Sequence, residues 1–226
     1  MDIRILFGML THPSSPIFML INTALLTIIV LSNFIIYLKT REVYDLSKEK
    51  SLKYFRNTFL FLTLVFFTNL LQVFLPNFLY IQHNIMNTLS LFRIYFSGVS
   101  LVYLLFTFLW KKLKKFNIGD ELLPHLIGII LVLLFVIVNS RPLITLLQFL
   151  LFLLFFIFSI ISYKRSKNKR MSNYYLFFVI LFVSLFVVNI LDMFSFSNSI
   201  IFPIVYIICI IIYLKLVINL IDKISL

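Results

Sequence analysis

Seven amide or charged side chains lie deep inside otherwise apolar runs of this sequence, and their types limit the chemistry on offer: Asn22, Asn69, Gln72, Arg93, Gln148, Asn189 and Asp192. One guanidinium, one carboxylate and five carboxamides can hold an ion pair and a set of hydrogen bonds, or receive an anionic or hydrogen-bonding ligand. They can do little else. A single carboxylate with no histidine at its level cannot divide acid and base roles. His12, His83 and His125 are far apart and fall at the ends of apolar runs or beyond them, so they make no metal-ligand spacing. The one cysteine, Cys209, excludes a disulfide or a cysteine metal site within one chain. No glycine-rich phosphate loop and no nucleophile elbow occurs. The expectation is a binding or structural site, with no enzyme activity, no cofactor and no metal.

The elements that must position these residues are long apolar helices. The chain is 62% hydrophobic and only 12% charged, with a mean hydropathy of +1.09, which is more apolar surface than a soluble domain of this size can bury. Seven apolar runs follow one another, at about 17–38, 58–75, 85–110, 122–138, 143–163, 174–194 and 200–220. At 1.5 Å per residue each approaches or exceeds the roughly 30 Å of a bilayer core. The first run is too long for a signal-peptide core and lacks a small-residue cleavage site, so it counts as a span. Pro76 ends the second run, whereas Pro124 and Pro142 stand at the starts of the fourth and fifth, where a missing N–H costs least. The fold class expected is all-α, a single polytopic membrane bundle of seven helices.

Charge orients the bundle. Lys39, Arg41, Lys48, Lys50, Lys53 and Arg56 lie between the first two runs; Lys111, Lys112, Lys114 and Lys115 follow the third; Lys164, Arg165, Lys167, Lys169 and Arg170 follow the fifth. Lys215 and Lys223 join them at the C-terminal end, and only Arg4 and Arg141 oppose them. Positive loops stay inside, so the protein is expected in the cell membrane with its N-terminus outside and its C-terminus in the cytoplasm. The net charge of +12 is accounted for by these short loops, which argues against a nucleic-acid partner. The expected partners are the lipid bilayer and, at the basic loops, anionic lipid or a cytoplasmic or membrane protein.

Counted from the cytoplasmic boundaries, Asn22, Gln72, Arg93, Gln148 and Asp192 each lie about 15–17 residues deep, roughly 22–25 Å along a helix, with Asn69 and Asn189 a turn lower. An isolated charge is costly there, so Arg93 is expected to pair with Asp192 while the amides satisfy the remaining donors and acceptors. The layer then serves either as a clamp that fixes helix register or as a small polar pocket open to the outside. The second and sixth runs also share a pattern, Phe66-x-x-Asn69-Leu-Leu-Gln72-Val-Phe74 against Phe186-x-x-Asn189-Ile-Leu-Asp192-Met-Phe194. It suggests a parallel repeat of three plus one plus three helices.

The seven-helix plan with its basic, aromatic-rich first connection, KTREVYDLSKEKSLKYFRNTFLF, resembles small archaeal-type seven-helix membrane proteins of unknown function. It also resembles the seven-helix sensor modules that precede kinase or cyclase domains, with no output domain in this chain. The resemblance implies a sensor-like or receptor-like protein, or an assembly subunit, that acts through a partner; it carries over no functional residue. The three-plus-one-plus-three plan is similar to that of the PQ-loop sugar transporters, which makes a small-solute transporter the alternative, although the PQ dipeptide is absent. A retinal protein is excluded by the seventh run, where Lys215 sits at the cytoplasmic end and not in mid-membrane.

Overall fold

The first apolar run does not end where the charges begin. In the computed structural model, helix α1 is Pro16–Ser47 and continues through Lys39, Arg41, Glu42 and Asp45 as regular helix. Their spacing explains this: Lys39 meets Glu42 at 3.2 Å, and Asp45 meets Arg41 at 3.9 Å and Lys48 at 3.3 Å, all at i,i+3 or i,i+4. The connection to α2, Lys50–Phe78, is only Lys48 and Glu49, so the basic segment is a helical hairpin and not a long loop. Lys48 turns the chain by adopting φ 53°, and its N–H returns to the Tyr44 carbonyl at 2.8 Å. Helix α3 is His83–Leu113 and α4 is Leu122–Val138.

The structure describes residues 16–78, 83–113, 122–138 and 146–151, with isolated helical positions at 153, 154, 156, 157, 161, 211, 215 and 218. Every described residue except Lys48 and Glu49 is helical. Three helices are long and apolar enough to cross a membrane, at Asn22–Ser47, Lys50–Leu75 and Asn84–Thr107, and the apolar α4 is shorter. The sixth expected span, and with it the proposed repeat, lies outside the described residues. Helix α2 does not stop before Pro76 but runs through it to Phe78. The missing N–H removes only one bond in the last turn, a smaller loss than the same proline would cause in mid-helix.

Burial follows helical periodicity. Along α1 the buried positions include Leu26, Ile29, Asn33, Ile36 and Thr40, spaced three and four apart, with Ser32 beside Asn33. Along α2 they include Phe55, Phe59, Leu62 and Phe66. Helix α1 packs on α2, α2 on α3, and α3 on α4. Every residue of α3 from Val99 to Phe106 is buried, so this helix is enclosed on all sides over two turns and forms the centre of the described bundle.

Hydroxyls in the core return to their own helices. Ser32, Thr40, Thr58 and Thr63 each donate to the carbonyl four residues earlier, at 2.7–3.0 Å. A hydroxyl can thereby be buried in an apolar bundle without a partner on another helix. Asn33 is the exception: its Nδ2 reaches the Ile29 carbonyl at 3.0 Å, but its buried Oδ1 has no partner among the described residues.

Candidate functional site

Helix α3 carries Ser90, Arg93, Ser97 and Ser100 at spacings of three, four and three, which puts them on one face. Three of them meet polar side chains from other elements. Gln72 on α2 donates from Nε2 to Ser90 Oγ at 2.9 Å. Arg93 donates from Nη1 to Asn69 Oδ1, one turn back on α2, at 3.4 Å. Gln148, in the segment 146–151, donates from Nε2 to Ser97 Oγ at 2.6 Å. Ser100 closes the series locally, its hydroxyl donating to the Ser97 carbonyl at 2.8 Å.

These contacts form a ladder along α3 and not one level. From Ser90 to Ser97 the helix rises about 10 Å. Gln148 therefore meets α3 about a turn closer to the C-terminal end of that helix than Arg93 does. Asn22 lies half-buried on α1, and Asn189 and Asp192 lie outside the described residues. The structure thus brings Asn69, Gln72, Arg93 and Gln148 onto one face of α3, and it adds Ser90 and Ser97 as their acceptors. Those serines were legible in principle, because the three-four-three spacing with Arg93 marks a polar stripe on an apolar helix. The side chains of Asn69, Gln72, Arg93, Ser90, Ser97 and Gln148 are only partly buried. A hydrogen-bonded set of this kind can fix helix register, and its incomplete burial leaves polar atoms within reach of a small ligand.

A second polar cluster faces α4. His125, one residue after Pro124 in the first turn of that helix, is held between two tyrosines of α3: Nδ1 to Tyr95 Oη at 2.7 Å and Nε2 to Tyr103 Oη at 3.2 Å. Phe61 of α2 meets the imidazole edge-on at 5.5 Å and stacks on Tyr103 at 5.6 Å. Tyr54, Tyr103, Phe106, Val99 and Val102 make the buried core beside it. A histidine at the end of an apolar run gives no sequence sign of this, because the run shows where α4 begins but not what stands opposite.

The close approach that creates the cluster comes from two glycines. A Cβ on Gly128 would lie 2.6 Å from Val99 Cγ2 and 2.9 Å from the Tyr95 ring. One on Gly98 would lie 2.5 Å from Leu131 Cδ1 and 3.5 Å from the Gly128 Cα. The two backbones can approach this closely because neither residue carries a side chain.

On the charged side of the hairpin, the Tyr44 ring meets two cations, Lys48 Nζ at 5.5 Å and the Arg56 guanidinium at 4.9 Å from its centre. Arg56 is held by Asn57 Oδ1 at 3.2–3.3 Å. Among the described residues no group of histidine, cysteine and carboxylate side chains could hold a metal ion. No protein-family model, no curated protein and no solved structure matches this chain.

Proposed function

We propose that this chain is a sensor-like or receptor-like membrane protein, or an assembly subunit, whose ligand is read at the polar ladder of α3. The observation that supports the reading is the set Gln72–Ser90, Asn69–Arg93 and Gln148–Ser97: paired polar groups from separate elements, half-buried inside an apolar bundle. Intramembrane arginines and amides are costly in lipid and ordinarily face a bundle interior or a cavity. In this reading seven spans cross the cell membrane with the N-terminus outside, in a three-plus-one-plus-three arrangement. Asn22, Asn189 and Asp192 complete the polar set, with Asp192 as the counter-charge of Arg93. The protein is not an enzyme and uses no cofactor. The basic hairpin, where Tyr44 holds Lys48 and Arg56, and the other basic loops meet anionic lipid or a protein partner on the cytoplasmic side.

Solute uptake into sealed vesicles carrying the purified chain separates this reading from the transporter alternative. The proposal expects ligand binding that raises thermal stability, without accumulation of that ligand in the vesicles. Robust uptake, abolished in an Arg93→Gln variant, would replace the receptor with a transporter.

A further inference from the structure

We infer that Arg56, held in place by Asn57 and Tyr44, binds the phosphate of one anionic phospholipid in the leaflet at the α1–α2 hairpin. The site rests on the reading that this hairpin meets lipid, and it is independent of whether the polar ladder takes a ligand.

The guanidinium is set from two directions. Its Nε and Nη2 donate to Asn57 Oδ1 at 3.3 and 3.2 Å, and its centre lies 4.9 Å from the centre of the Tyr44 ring on the neighbouring helix. A ring orients a guanidinium without consuming a donor. Of the five N–H groups, those on the Nε–Nη2 edge serve Asn57. The Nη1–Nη2 edge presents two further donors side by side, the fork that grips a phosphate bidentately. Glu42 and Asp45 of the same hairpin are engaged elsewhere, with Lys39, Arg41 and Lys48.

Position along the helices makes a lipid the source of that phosphate. Arg56 is the last charge before the uncharged stretch 57–75, so it stands where hydrocarbon ends and headgroups begin. The face of α1 that carries Tyr44 also carries Phe34, Tyr37 and Arg41, at spacings of three, four and three. Phe34 and Arg41 are exposed, and the Phe34 and Tyr37 rings stack at 6.0 Å. An exposed apolar ring in a membrane meets acyl chains, so this face is turned to lipid, with Phe34 at acyl depth and Arg41 and Tyr44 at headgroup depth. A phospholipid lying along it sets its chains on Phe34 and Tyr37 and its phosphate at Arg56. Free phosphate or an acidic peptide would use only the charged half of that surface.

The test uses the full chain in an uncharged detergent, titrated with phosphatidylglycerol, whose only charge is its phosphate, or with phosphatidylcholine, whose choline offsets it. Native mass spectrometry counts the bound lipids. The expected result is one phosphatidylglycerol held more tightly than any further lipid and than phosphatidylcholine. Arg56→Gln should weaken that first binding about thirtyfold, and Arg56→Lys, which keeps the charge and loses the fork, about tenfold. Lys50→Gln removes the same charge from the hairpin and should cost no more than about fivefold. Asn57→Ala, which leaves Arg56 present but unset, should cost about threefold and keeps the test open if the Arg56 variants do not fold. Equal losses in Arg56→Gln and Lys50→Gln would overturn the site while leaving a hairpin that attracts lipid by charge alone. No preference for phosphatidylglycerol would overturn the site and the lipid reading of the hairpin together. Displacement of the lipid by excess inorganic phosphate, or by a poly-glutamate peptide, would overturn the lipid as occupant.

Discussion

Gln148 donates to Ser97 Oγ at 2.6 Å, and this bond ties the segment 146–151 to the face of α3 that also meets α2 through Ser90 and Arg93. Helix α3 therefore acts as a common strut, with polar contacts from two other elements along one stripe. Interhelical hydrogen bonds of this kind average about 0.6 kcal/mol in membrane proteins and reach about 1.7 kcal/mol. A double-mutant cycle between Ser97→Ala and Gln148→Leu, read by unfolding in lipid-detergent mixtures, should give a coupling in that range. A coupling of zero would mean the contact does not help to hold the bundle.

The α3–α4 contact makes the two glycines unequal. A methyl group on Gly98 meets the free end of the Leu131 side chain, which can turn aside. A methyl on Gly128 meets Val99, wholly buried, and the Tyr95 ring, which is held by His125. Gly128→Ala should therefore lower stability by roughly 1–3 kcal/mol and Gly98→Ala by less, as overpacking ordinarily does. Thermal unfolding of the two variants side by side checks the order. Equal losses would show that Tyr95 is not wedged.

Asn33 gives a prediction of the opposite sign. It is wholly buried at 0% exposure, and its Oδ1 is unpaired among the described residues. An unsatisfied buried acceptor costs about 1–3 kcal/mol, while the Nδ2 bond to Ile29 lies within its own helix and adds little. Asn33→Leu, which keeps the heavy-atom count and branching of the side chain, should raise stability by about 1 kcal/mol. A loss would indicate that Oδ1 is satisfied by a group such as buried water.

At the hairpin, Lys48 occupies the left-handed region with φ 53°, a conformation that ordinarily falls to glycine. Lys48→Gly keeps the N–H bond to the Tyr44 carbonyl and loses only an exposed ion pair with Asp45 and a distant contact with the Tyr44 ring. Such a change should be stabilising by about 0.5–1 kcal/mol, since left-handed strain exceeds what an exposed pair contributes. Hydrogen exchange at residues 44–53 should slow. Faster exchange would assign the turn's stability to the lysine.

The sequence made the helical class and the membrane character legible because hydropathy averages over many residues and needs no tertiary detail. It missed the extension of α1 to Ser47 because an apolar run shows where lipid contact ends, whereas a helix continues as long as its side chains support it. The Lys39–Glu42 and Arg41–Asp45 spacings carried that information. Asn69, Gln72, Arg93 and Gln148 were legible as residues out of place in lipid. Their partners Ser90 and Ser97 carried a weaker sign, the three-four-three spacing with Arg93, since a single serine is tolerated in a membrane helix through bonding to its own backbone. Counting depth from the charged loops placed the polar groups at one level. Their stagger along α3 arises from helix packing offsets, which loop positions do not encode. The Tyr95–His125–Tyr103 cluster depends on the glycine-mediated approach of two helices, a tertiary fact with no local sequence signature.

The central claim is that the polar ladder receives a ligand, and native mass spectrometry of the protein released gently from its own membrane tests it most directly. The account predicts a stoichiometric small-molecule adduct on the wild-type chain, lost in folded Arg93→Gln and Asp192→Asn variants, with a mass that identifies the ligand class. A bare chain carrying only loosely held lipids, the same in wild type and variants, would contradict it and leave the ladder as a structural clamp.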